Sequence, residues 1–364
     1  MAAAPAIRAA RSDPVRTPSP HQVHGMGYAV LVVGLVIGLV FAIVGAIAIG
    51  AVRLPLATVV DVVLAHLTGG AASSRAADQI VWQFRAPRVL LAALAGAGLA
   101  VSGTLLQAII RNPLADPYVL GLSQGAGLGA VTMIVLAPAA LAGVGATGAA
   151  FLGAMISLAA VLALGQRAGR FLPTRLILAG VAVGYLLSAA TSYLQIIASP
   201  EELRTVVFWL LGSVAGATWN QLPVPAVCLV GVSIWAWTQG RRLNALLLGE
   251  EAAIALGVRI HRFRLQFLVA SALLTASLVA VAGGIGFVGL IVPHMVRLLV
   301  GPDHRRILPV AVLLGAVFLV VVDLLARTIQ APSDLPLSVL TALLGAPFFL
   351  WLLRRPAKAA GESG

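Results

Sequence analysis

The stretch FRAPRVLLAALAGAGLAVSGTLLQAIIRNPLADPYVLGLSQGAG, from Phe84 to Gly127, decides how the rest of the chain is read. Between its two polar borders lies Arg88–Ile110, an apolar run with no acid and, after Arg88, no base. About 20 residues of helix cross the hydrocarbon core of a bilayer, so the run predicts a membrane span. Its centre, GAGLAVSG (Gly96–Gly103), is built of small residues, which let neighbouring membrane helices approach closely. The run ends in RNPLADP, where Asn112-Pro113 and Asp116-Pro117 are turn formers. A span, a turn and the start of a second span follow from these residues alone.

The same pattern repeats outward in both directions. Hydrophobic residues make up 60% of the 364, charged residues only 10%, and mean hydropathy is +1.03. Soluble domains carry about 25% charge, so a soluble fold is excluded. The apolar runs do not alternate in polarity as the strands of a membrane barrel would. The chain is an all-α polytopic membrane protein. Ten spans are predicted: 28–50, 88–110, 118–141, 147–168, 174–197, 222–238, 267–282, 286–300, 307–329 and 336–353. The sixth and eighth are too short to derive from hydropathy alone. Val52–Arg85 is semi-polar and reads as an interfacial helix plus loop. Residues 1–27 and 356–364 read as tails flanking a transmembrane domain over 28–355, and the first run is too long for the apolar core of a cleaved signal peptide.

Net charge is +12, but the arginines are scattered through short loops rather than gathered for nucleic acid. With the N-terminus inside, eighteen basic residues fall on inward segments and six on outward ones, the bias expected for cytoplasmic loops. Both termini and the loop Arg241–Arg264 are then cytoplasmic. Cys228 is the only cysteine, which excludes an intrachain disulfide and a cysteine-based metal site. Inside the spans one acid is clear: Asp323, four residues before Arg327, a spacing that allows the two to pair. His294 follows Pro293 and reads as structural. No metal constellation and no nucleophile–base pair can be assembled, so an enzyme is not supported. A proton-coupled secondary transporter has little to run on, and a non-transporting scaffold is the other rival. A Walker A loop requires a lysine, and the only lysine is Lys358. If the protein pumps, the ATPase is another polypeptide.

Against this background LLLGEEAAIALGVR (Leu246–Arg259) is odd, because Glu250 and Glu251 are adjacent in a chain with twelve acids. A short cytoplasmic helix that docks on a soluble partner would explain them; a solvated loop is the alternative. In the fifth span Gly180, Gly184, Ser188 and Ser192 recur every four residues and continue to Gln195. They form a small, mildly polar face, either a packing seam or a pathway wall.

Phe84–Gly127, together with LILAGVAVG, ELRTVVFWLLGS, LGEEAAIALGV, GFVGLIVPHMVRLLVGPDHRRILP and LPLSVLTALLGAPFFLWLL, resembles FecCD-type permease subunits of ABC importers for iron–siderophore complexes, haem and cobalamin. The resemblance runs over about Tyr28–Arg355 in the expected order. It implies the ten-helix type II importer fold, in a plasma (bacterial inner) membrane. It also implies a second permease subunit, two ATPase subunits that bind ATP and Mg, an extracytoplasmic substrate-binding protein, and no cofactor on this chain. By the same resemblance Leu248, Gly249, Glu250, Glu251, Ala252, Ala255, Leu256 and Gly257 belong to the helices that couple to the ATPase. Asn112, Pro113, Pro173 and Thr174 match the inner gate, with Pro173 departing from the hydroxyl residue of cobalamin relatives. Arg85, Arg88 and Arg327 match positions that dock the binding protein. Plain helix-end anchoring, and pairing of Arg327 with Asp323, is the other reading of those arginines. The segment EELRTVVFWLLGSVAGATW (Glu201–Trp219) is most similar to iron–siderophore members, which ranks siderophore first, haem second and cobalamin third.

Overall fold

The computed structural model describes residues 25–50, 52, 54–70, 72, 74–136, 145–167 and 170–354. Most of both tails and the last residues of the third predicted span, 137–141, lie outside them. The described chain is helical apart from the two-residue strands β1 (Gln166–Arg167) and β2 (Arg170–Phe171), paired antiparallel.

All ten predicted spans are present as helices. Seven are long and apolar enough to cross a membrane. Five of these are α1 (Gly25–Ala48), α6 (Gly145–Gly165), α7 (Pro173–Ile197), α12 (Ile260–Ala282) and α14 (His304–Thr328). The sixth is α9 (Pro223–Thr238), extended by a 3-10 turn at Trp219–Gln221. The seventh is a continuous helical run in which α3 (Arg75–Asp78) and a π-helical turn, Gln79–Arg85, lead into α4 (Ala86–Ile110). Three shorter apolar helices complete the set: α5 (Leu122–Leu136), α13 (Val288–Val300) and α15 (Leu337–Arg354). The interfacial expectation for 52–85 becomes α2 (Leu56–Thr68), closed by Gly69 in the left-handed region at φ 74°, followed by the start of the long run.

Helix α4 is the axis of the molecule, buried along nearly its whole length. Its small residues account for that. A Cβ on Gly96 would stand 2.1 Å from the Gly315 carbonyl of α14, and one on Gly103 would stand 1.9 Å from that of Gly289 on α13. Backbones can approach so closely only where no side chain intervenes. A hydroxyl cluster ties α4 to α12: Ser102 Oγ lies 2.6 Å from both Ser271 Oγ and Thr275 Oγ1.

The short helices start from non-helical junctions folded into the protein, which hydropathy does not report. The Tyr118 hydroxyl accepts from Ile285 N at 2.9 Å and donates to Ile285 O at 3.0 Å. Ser213 N donates to Ala282 O, Leu337 N donates to Gly212 O, and the Ser338 hydroxyl donates to Gly284 O. Backbone polar groups at membrane depth must be satisfied within the protein, and these bonds do so. Three starts move, the helical run of the second span beginning already at Arg75. The third span starts at Leu122, after a 3-10 turn at Pro117–Leu120, rather than at Tyr118. The seventh starts at Ile260 rather than Phe267, so part of the predicted loop is helix. An unpredicted helix, α8 (Pro200–Leu210), is closed at its start by a capping box between Ser199 and Glu202.

Candidate functional site

At one face of the bundle α10 (Gly240–Leu247) and α11 (Glu250–Ala255) fill the predicted coupling loop. Gly249 sits between them at φ +109°, a backbone conformation that favours glycine. Ala253 is fully buried beneath α11, which holds the helix against the body. The outward side is apolar: Leu248 is 72% exposed, Leu256 65% and Ile254 60%, with Leu247 also exposed. Contiguous exposed apolar groups of this kind mark interaction surfaces.

The two acids have different employment. Glu250 accepts from Arg264 Nη2 at 2.8 Å, and the buried Arg264 donates through Nη1 to Phe171 O at 2.7 Å. Glu250 thus ties α11 to α12 and to the β-hairpin. Glu251 is exposed, with no hydrogen bond or ion pair among the described residues. Both acids stand in the first turn of α11, as expected for residues that start this helix, and Glu250 has the Arg264 contact in addition. Leu247 and Ile254 join the expected Leu248 and Leu256 on this exposed side; a helix of eight residues and one of six carry too little periodicity to show it in sequence.

Both expected gate pairs lie at this face. Asn112 and Pro113 line a small cavity with Leu246, Leu247, Arg297 and His304. Arg111, just before them, takes the left-handed conformation at φ 56°, and Asn112 Oδ1 accepts from Leu114 N at 2.9 Å. Pro173 and the exposed Thr174 open α7, two residues beyond the Phe171 carbonyl bound by Arg264. No hydrogen bond joins the two pairs among the described residues.

The α7 stripe divides. A Cβ on Gly180 would meet Val119 O at 2.0 Å, and Gly184 is buried beside Gln124. These two are a packing seam. Ser188 and Ser192 are exposed and Gln195 is half-buried. Around them Tyr185, Tyr193 and Ile196 are exposed as well, so the upper half of α7 presents a broad uncovered face.

At the opposite face Arg85 and Arg327, two of the three expected docking arginines, are buried, and Arg88 is half-buried. Arg85 donates to Ile47 O at 2.8 Å, to Ala48 O at 2.9 Å and to Val52 O. Arg327 donates to Ala46 O. Cations at the C-terminal carbonyls of a helix are favourable, and these two close the end of α1. Arg88 holds Asp323 through Nε (2.9 Å) and Nη2 (2.8 Å) and reaches Asp334 at 2.9 Å. Arg327 Nε lies 3.7 Å from Asp323. Asp323, 1% exposed, therefore has Arg88 rather than Arg327 as its principal partner. The guanidinium groups are engaged within the chain, as the helix-end reading of these arginines expects.

A helical body with one deep central helix, a pair of short helices with an exposed apolar side at one face and a broad open helix face beside it defines an all-helical polytopic membrane protein. The chain belongs to the FecCD transport family, whose model matches residues 38–355. Among its relatives is the cobalamin import system permease protein BtuC of Halobacterium salinarum, 43% identical over 76% of this chain and 74% of that protein. The hemin transport system permease protein HmuU of Yersinia pestis is 41% identical over 76% of this chain and 83% of its own length. The vitamin B12 import permease of Vibrio cholerae is 42% identical over 76% and 83%. A solved structure of an inward-facing metal-chelate type ABC transporter superposes with a TM-score of 0.79 at 35% identity, covering 90% of this chain and 99% of that one. The protein is a permease subunit of an ABC importer with the type II fold, a transport component and not an ATPase.

Proposed function

We propose that the chain forms one half of a translocation pathway for a corrinoid or porphyrin chelate, cobalamin or haem, in a plasma membrane. The observation that carries this reading is the likeness, over three quarters of the chain, to permeases named for cobalamin and for hemin. The sequence ranking that put iron–siderophore first gives way. It rested on Glu201–Trp219, and that segment is structural: the turn that follows α8 passes through Gly212 at φ +72°, whose Cβ position faces Gly284 O at 2.5 Å. A packing junction is a poor reporter of cargo.

In this account the α10–α11 face is cytoplasmic and receives an ATPase that binds ATP and Mg. A second permease subunit covers the exposed side of α7, so that Tyr185, Ser188, Ser192 and Ile196 line the space between the two. Asn112, Pro113, Pro173 and Thr174 ring its inner end. An extracytoplasmic binding protein approaches the opposite face. ATP-driven uptake by the reconstituted complex tests the cargo, with cobalamin, haem and a ferric siderophore compared at equal concentration. Transport of cobalamin or haem is expected; transport of the siderophore alone overturns the assignment.

A further inference from the structure

Where α11 gives way to α12 the chain turns through Gly257 at φ +81°, and a groove of about 430 Å³ opens beside the turn. It is lined by Arg242 of α10, Val258, Arg259, and Arg262, Phe263 and Gln266 of α12. Three guanidinium groups share it and no acid lines it. Arg242 donates to Gln239 Oε1 at 2.9 Å. Arg259 and Arg262 are exposed and make no hydrogen bond or ion pair among the described residues. The neighbouring Arg264 points away, into its buried contacts with Glu250 and Phe171. So the arginines of this turn separate into one structural group and three that face a common space.

Three like charges around one groove repel each other, and an anion placed between them removes that cost. Guanidinium groups match the oxygens of a phosphate in pairs. Above the groove Gln266, Val269 and Leu273 are exposed, and with Arg262 they fall on one helix face. A cationic pocket that continues as an aliphatic track along a membrane helix is shaped for a phosphate carrying an acyl chain. An acidic protein surface would use the arginines and leave the track idle. We propose that the groove is a binding site for an anionic phospholipid of the cytoplasmic leaflet, its phosphodiester among Arg242, Arg259 and Arg262 and one chain along Val269 and Leu273. Basic pockets between membrane helices on the cytoplasmic side take lipid headgroups in this way. The placement next to the α10–α11 pair would couple the lipid to the docking helices, and it rests on the orientation proposed above.

Native mass spectrometry of the full-length protein in detergent, with dioleoyl phosphatidylglycerol or dioleoyl phosphatidylcholine added, tests the site. The wild type should keep a phosphatidylglycerol adduct under conditions that strip phosphatidylcholine. The Arg242→Ala, Arg259→Ala, Arg262→Ala triple variant should hold it at least about tenfold more weakly, and Arg204→Ala, on the distant α8, should behave as wild type. Equal retention of the two lipids, or unchanged phosphatidylglycerol binding by the triple variant, overturns the proposal. So does a triple variant that keeps the lipid and loses the ATPase, which would assign the groove to that subunit. Orientation is read separately, by labelling Glu251→Cys in a Cys228→Ser background: reaction only from outside would reject the orientation, whatever the spectrometry shows.

Discussion

The two ends of the molecule both carry charged residues that look available in the sequence, and they use them in opposite ways. At the α1 end, Arg85, Arg88 and Arg327 are drawn inward to helix carbonyls and to Asp323 and Asp334. At the α10–α11 end, Glu250 is drawn inward to Arg264, which leaves an exposed apolar ridge of Leu247, Leu248, Ile254 and Leu256. A charge in a hydrophobic chain is thus first a device for holding the chain together. What remains uncovered on α10 and α11 once those pairings are made is largely apolar.

The sharpest way to break this contrast is at Arg88. Removing one partner of a buried pair costs about 3–5 kcal/mol, so Arg88→Ala should lower thermal stability in detergent severely and reduce the yield of folded protein. An Arg88→Ala protein of wild-type stability that fails only to bind its binding protein would restore the docking role. Next in size is the α7 seam. Gly180→Ala forces a Cβ against the Val119 carbonyl and should cost about 1–3 kcal/mol, whereas Ser192→Leu on the same helix should leave the melting temperature unchanged and impair transport. If the two exchange behaviour, the division of the stripe into seam and pathway is wrong. Smaller still is the difference between the adjacent acids. Glu250→Ala leaves Arg264 with only the Phe171 carbonyl and should cost about 1 kcal/mol, while Glu251→Ala should be neutral within about 0.5 kcal/mol. Equal effects in thermal melts would remove the distinction between tether and free acid.

Much of the fold was legible because hydropathic runs of membrane length leave few alternatives. Eight of the ten helices and the deep packing of GAGLAVSG could be argued from residues, while the short sixth and eighth helices rested on the family resemblance. Helix ends were less so: α5 begins only at Leu122, after Tyr118 has found its backbone partners at Ile285, and hydropathy does not register such bonds. Helix α8 escaped because it is short and half polar. The arginines show the limit most plainly. Local spacing offered Arg327 for Asp323, but the better partner, Arg88, stands 235 residues away in sequence. The extent of the coupling loop was misjudged for a related reason, since Arg259, Arg262 and Arg264 look like one basic loop although the last two belong to α12.

Leu248→Asp combined with Ile254→Asp tests most directly whether the exposed ridge on α10–α11, rather than its acids, holds the ATPase. Both side chains are largely exposed, so the melting temperature should stay at the wild-type value. Co-purification of the ATPase and permease-stimulated ATP hydrolysis should both be lost. Wild-type levels of hydrolysis and association in that double variant would contradict the account.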